Sequence, residues 1–422
     1  MTLRRSVRTA FSVRNLLIAF SLLATALAFA QDAHQLPADH LQHAHPRYLA
    51  VPPRGTHSAA AVTSGIPGID SLANWNGSFQ VLGFGPTGKK QNNWVYNMVG
   101  VAPQKGGTTR IDAPVVPVIV QLLDAKGNVL FTYDPKPFVV PTLLSPVFQN
   151  STYTSSDVPT QFVDSIQRAE FWNTMKPDWH TLLSGILRPE RTMKVPFGSY
   201  FYRLKGNGKC CEFVLIDINE FFNLLFPAVP TDTVTPIGAA ENAGDITTQD
   251  ISTFLFPNTY LYFNGDPNQC CVLGFHSYDI EPGDSANGNK EKRYVVNYSS
   301  WISPGLFGAA FVDVTAVSHE VSETFNDPFV ASDGKHNITP WWLAPNGNCQ
   351  DSLEVGDVIE GLPHATSPLF LNGMTYHPQN EALLQWFEFQ SPSTALDNAY
   401  SYPDEATLTT LSPLEAPGCS VP

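Results

Sequence analysis

The chain has 422 residues, 43% of them hydrophobic, which is enough for a large buried core and too many for a chain disordered by composition. Only 15% are charged and the formal net charge is −14, which argues against a nucleic-acid partner, because phosphate binding needs clustered lysine and arginine. Its 35 prolines favour a loop-rich fold of short strands over a helical bundle.

The first segment is an apolar run from Leu16 to Ala30 that follows Arg4, Arg5, Arg8 and Arg14 and closes on Ala28-Phe29-Ala30. A basic start, an apolar centre and small residues before Gln31 form the pattern of a secretory signal over residues 1–30. At about 15 residues the run is short of the ~20 that a membrane span needs. Cleavage after Ala30 removes four arginines and no acid, taking the formal net charge from −14 to −18. The expectation is an exported protein, secreted or periplasmic, without a membrane span.

Residues 31–72, with "HQLPADHLQHAHP", have no apolar period and read as a flexible leader or propeptide. Residues 73–422 are expected to form a single α+β domain, with a β-rich stretch at 73–150 as a candidate lobe of its own. That stretch contains "FQVLGF", "NNWVYNMVGVAP", "APVVPVIVQLLD" and "GNVLFTYDP", short β-branched and aromatic runs divided by Gly, Pro and Asn. Helical spacing follows, with Phe162, Ile166, Ala169 and Phe171 to one side until Pro177 breaks it. Strands are expected again at "KCCEFVLIDI" and "TYLYFNG", a short helix at "TTQDISTFLF", and an adjoining pair of strands at "CCVLGFHSYDI" and "KRYVVNYSSW".

Six cysteines in an exported chain favour disulfides. Cys210-Cys211 and Cys270-Cys271 each begin an expected strand, so they can bridge to each other if those strands adjoin, which leaves Cys349 for Cys419. Fifteen pairings are formally open to six cysteines.

The chemistry concentrates in "VSHEVSETFNDP", residues 317–328. On a helical wheel at about 100° per residue, Val314, Val317, Val321 and Phe325 share one face, and His319, Glu320 and Glu323 lie opposite. Asp327-Pro328 ends the helix. His319 and Glu323, one turn apart, are placed to reach one metal ion, while Glu320 is offset towards a water on that ion. Zinc with three protein ligands lowers the pKa of its water towards ~7, and Glu320 would take the proton as general base. The third ligand is expected from "NCQDSLEVGDVIEG": Asp357 first, Glu354 next, with Asp327 and His364 behind. Calcium is the alternative to zinc, because one histidine among oxygen ligands is an unusual zinc set. An exposed acidic helix face is the plain alternative to any site. His276 and Tyr278 share one face of their strand, where either is a hydrogen-bonded strand residue or a donor to a developing oxyanion. The Trp179-His180 and Trp341-Trp342 pairs read most simply as core aromatics.

The His319-Glu320-x-x-Glu323 helix resembles that of the zincin metallopeptidases, with glutamate where their second histidine stands. "SHEVSETFNDP" followed by "LEVGD" is also similar to a group of secreted bacterial and fungal proteins that carry Ser-His-Glu-x-x-Glu, Thr-Asp-Pro and Glu-Ile-x-Asp-Cys. The likeness runs from Ser318 to Asp357, with fainter matches at "GFHSYD" and "QRAEFW". Here Asn326 replaces the threonine and Val358 the cysteine. The resemblance implies a zincin-like α+β fold: a β-rich N-terminal part, a central metal-site helix and a loop-rich C-terminal part. It also implies a zinc-dependent hydrolase acting on polypeptides. A non-catalytic exported surface or matrix protein with a structural calcium or acidic site is the alternative.

Overall fold

The computed structural model describes residues 34–53, 71–79, 94–153, 158–205, 211–330, 342–350 and 352–412. The expected signal sequence at 1–30, Cys210, Cys419 and Trp341 lie outside them. The fold is mixed α+β, and one 11-stranded mixed sheet organises it.

The strands are β1 Arg47–Ala50, β2 Asn74–Phe79, β3 Trp94–Val99, β4 Thr108–Leu123, β5 Val129–Tyr133, β6 His180–Leu187, β7 Arg191–Val195, β8 Tyr200–Arg203, β9 Phe213–Asp217, β10 Ile251–Pro257, β11 Thr259–Tyr262, β12 Cys270–Glu281 and β13 Lys292–Trp301. The main sheet runs β5-β4-β10-β13-β12-β11-β9-β8. β6 and β7 lie parallel to successive stretches of β4, and β1 lies parallel to β12. β2 and β3 form a separate hairpin. Residues 34–53, read from the sequence as leader, thus supply the strand beside β12. β4, from the β-rich first part, pairs with β10 near the middle of the sheet.

β12 and β13 pair antiparallel, as their sequence predicts, with His276 opposite Asn297. The helix expected at "TTQDISTFLF" is instead β10. Parallel neighbours flank it on both sides, and all seven of its residues are buried. A strand covered on both faces need not alternate apolar and polar residues, so it loses the period that tells strand from helix. The helical run after Thr160 is shorter than its pattern, Phe162–Glu170, and the chain is extended again from His180.

Alternation divides the core into two layers. Val115, Leu255, Val295 and Tyr278 face one layer, which includes the helix Phe162–Glu170 and the apolar side of the helix Thr315–Asn326. Val116, Phe254, Phe256, Phe275 and Val296 face the other, beneath the helices Ile218–Leu225 and Pro236–Asn242. Thr315–Asn326, hereafter the central helix, packs across β12 and β13. All twelve of its residues are buried, which rules out an exposed acidic face.

The two Cys-Cys segments do not meet the condition for bridging, because β11 lies between β9 and β12. Cys270 and Cys271 touch one another through their sulfurs.

Candidate metal centre

The central helix is fixed at its start by Asp313. This carboxylate accepts hydrogen bonds from the amides of Val314 (2.6 Å) and His377 (2.9 Å) and pairs with His377 Nδ1 at 2.6 Å. Two later loops dock on the helix through Ser318, whose Oγ accepts from the Gln379 amide (2.9 Å), and Gln379, whose Nε2 donates to the Gly356 carbonyl (2.8 Å). These contacts bring residues 352–360 and 377–382 against the polar side of the helix. Val317, Val321 and Phe325 on its other side enter the apolar layer, as the wheel requires.

His319, Glu320 and Glu323 point together into this space, and so does His276, which shares a face of β12 with Gly274 and Tyr278. His276 Nδ1 lies 3.3 Å from Glu323 Oε2, 3.6 Å from Glu320 Oε2 and 3.7 Å from Glu354 Oε2. His319 Nε2 lies 3.1 Å from Glu323 Oε1 and 3.6 Å from Asp357 Oδ1. The amides of Gly356 (3.1 Å) and Asp357 (3.2 Å) donate to Glu323 Oε1 and set the plane of that carboxylate. Two glycines make room. A Cβ at Gly274 would collide with Glu320, and one at Gly356 with His319.

His276 is 1% exposed and His319, Glu320 and Glu323 are 0% exposed, so water cannot satisfy them. By hydrogen-bond geometry, neither ring nitrogen of His276 or His319 and neither oxygen of Glu320 or Glu354 has a partner. Buried polar groups are otherwise almost always paired, and an unpaired buried charge costs several kcal/mol. No lysine or arginine among the described residues pairs with Glu320, Glu323 or Glu354.

Burial, reinforced by Glu323 and Asp357, holds the Glu320 and Glu354 carboxyls well above the ordinary carboxylate range. Glu381 is raised in the same way, and burial pushes Glu360 up to about 8. Glu323 goes the other way. Burial opposes its charge, but His319 and His276 outweigh it and hold the carboxyl below its usual value. Several acids crowd around two imidazoles with too little positive charge. A divalent cation would supply what is missing, since imidazole nitrogens and carboxylate oxygens are atoms that can ligate metals.

Of the residues singled out in the sequence, His319, Glu320, Glu323, Glu354 and Asp357 converge. Residues 355–360 form a turn rather than a helix, and Glu354 just before it lies on the His276 side of Glu323 while Asp357 lies on the His319 side. Asp327 is buried at the end of the helix. His364 does not join: its side chain is exposed, and its backbone carbonyl accepts from Asn380. Tyr278 packs edge-on against Phe329 instead of entering the site. Trp179 is a core residue whose Nε1 donates to Val101 O at 2.8 Å.

Sequence reasoning placed His276 on the correct face of its strand without seeing that it meets the helix. The signal was a histidine in an otherwise apolar strand, two residues after a glycine. Glu360 and Glu381 were missed. Glu360 accepts from the Tyr48 amide at 3.3 Å, and the Tyr48 ring stacks on His319 with centroids 3.7 Å apart. β1 therefore roofs the site. The cleft bounded by Arg168, Trp172 and Leu396 lies elsewhere.

No helix among the described residues is long and apolar enough to cross a membrane. In comparisons with known proteins, no family model, no curated protein and no solved structure matches this chain.

Proposed function

We propose that the protein is an exported, metal-dependent hydrolase, with zinc as its ion and polypeptides as its substrate class. The observation that carries this reading is the set of buried imidazole and carboxylate atoms on His276, His319, Glu320 and Glu354 that face each other without partners. A second imidazole beside the helix favours zinc or a similar transition ion over calcium, which prefers oxygen ligands alone. When bound, such an ion polarises a carbonyl and acidifies water.

Glu323 would hold the ion either with His319 from the same helix or with His276 from β12 and Glu354 from the following loop. Glu323 is kept in place by the two backbone amides on its Oε1. Glu320 takes the proton from water, and its burial makes that carboxylate a stronger base than a solvated one. Tyr48 and β1 exclude solvent, so a substrate enters only when β1 moves away from β12.

Complete burial also favours a second reading, a closed centre that stabilises a non-catalytic exported protein. Metal analysis and cleavage of an unfolded polypeptide such as casein separate the two. The hydrolase reading expects bound zinc, and cleavage that falls at least ~100-fold in Glu320→Gln while zinc remains bound. Bound zinc without any cleavage selects the structural reading. A folded protein that binds no metal removes both.

A further inference from the structure

We propose that the centre holds two divalent cations bridged by Glu323, one on the His276 side and one on the His319 side. The inference rests on the metal-site reading above and extends it from one ion to two. The ligating atoms fall into two sets, each lying within 4.8 Å throughout: His276, Glu323 and Glu354, and His319, Glu320 and Glu323. The two imidazoles are in different sets, and Glu323 is in both. Its oxygens are divided in the same way, with Oε2 towards His276 at 3.3 Å and Oε1 towards His319 at 3.1 Å. A single ion with bonds of about 2.0–2.2 Å uses one set and leaves the other imidazole buried without a partner. Ions in two-metal centres sit roughly 3.5–4 Å apart, a separation that one carboxylate spans.

Charge points to more than one ion. Glu320, Glu323 and Glu354 in the two sets, together with Asp357 beside His319, carry four negative charges when ionised. One divalent cation leaves a buried excess of at least two on these acids, with Glu360 and Glu381 also close enough to act on Glu320 and no lysine or arginine paired to Glu320, Glu323 or Glu354 among the described residues. Glu320 faces both positions, since its Oε2 is 3.6 Å from His276 Nδ1 and it also belongs to the His319 set.

The test is stoichiometry in the full folded chain. Protein stripped with a chelator and dialysed against zinc should bind two equivalents by elemental analysis. His276→Ala or Glu354→Gln should halve this to one, with circular dichroism checking that each variant is folded. Cobalt(II) in place of zinc gives a readout that needs no variant. Neighbouring cobalt ions coupled through Glu323 should give a weaker electron-spin signal per ion at two equivalents than at one. Wild-type saturation at one equivalent overturns the two-ion centre and leaves the one-ion function standing. So does a cobalt signal that grows in proportion to loading. Absence of binding overturns both.

Discussion

Two histidine–carboxylate groups with buried acids, one at the helix Phe162–Glu170 and one at the central helix, have similar composition and opposite bonding. Asp164, 1% exposed, is saturated: it accepts from Thr160 Oγ1 at 2.6 Å and from the Thr181 amide at 2.6 Å, and pairs with His180 Nδ1 at 2.7 Å. Asp313 is satisfied in the same way by Val314 and His377. Around His276 and His319, equally buried acids meet imidazoles that are buried more deeply than His180, 1% and 0% exposed against 19%, and most of their polar atoms are unmatched. A buried carboxylate with its lone pairs filled locks two elements together; one left unfilled beside imidazoles costs stability unless a cation completes it. Residue type alone does not separate a structural histidine from a ligand. Saturation does.

The largest effect expected from this difference is a pH-dependent stability that zinc reduces. Burial holds Glu320, Glu354 and Glu381 well above the ordinary carboxylate range and Glu360 at about 8. Below about pH 4 the folded and unfolded chains both keep these protons. As pH rises through 4.5 towards 8, the unfolded chain releases them first, so the folded state loses stability, at up to ~1.4 kcal/mol per pH unit for each group. Chelated protein should therefore melt at a falling temperature from pH 5 to 8, and zinc should flatten the slope. Glu170, pushed up to about 8 by burial and bonded to the Leu384 amide, lies outside the two ligand sets and should contribute a residual slope with or without zinc. A melting temperature that ignores zinc at pH 8 would break the contrast.

A smaller effect is expected at the saturated pair. Asp164→Asn keeps the shape but replaces an acceptor oxygen with a donor amide facing Thr181 N or His180, so about 1–3 kcal/mol of stability should be lost in denaturant unfolding. Zinc content should be unchanged. A loss of zinc in Asp164→Asn would mean that the two groups are coupled through the packed helices and are not independent.

How far the sequence reached follows the range of the interactions involved. His319, Glu320 and Glu323 were legible because an i, i+4 pair on a helix is local geometry, and so was the division of that helix into apolar and polar sides. Glu354 and Asp357 were legible as acids and not as opposite flanks of Glu323, since that depends on a turn around Gly356 docked through Gln379. His276 needed the register of β12 against the helix, which strand alternation does not supply. β10 was read as a helix because burial on both faces erased its period. Tyr48 comes from a stretch whose composition reads as a solvated tail, and its place over His319 is set by pairing with β12 more than 200 residues later.

The smallest effect expected separates the two roles that Tyr48 can have over His319. Its ring is stacked on the imidazole, and its hydroxyl is buried without a hydrogen-bond partner. Burial, with Glu360 next, raises that phenol well above its ordinary value, so it stays protonated. Tyr48→Phe keeps the stack and removes an unsatisfied polar atom, so stability should change by less than about 0.5 kcal/mol or rise slightly. If Tyr48 only roofs the site, zinc content and any polypeptide cleavage should also stay at wild-type levels. A tenfold or greater loss of cleavage with zinc and stability intact would mean that the hydroxyl acts on the substrate when β1 moves. Tyr48 would then belong with Glu320, and the cover over the centre would be part of its chemistry.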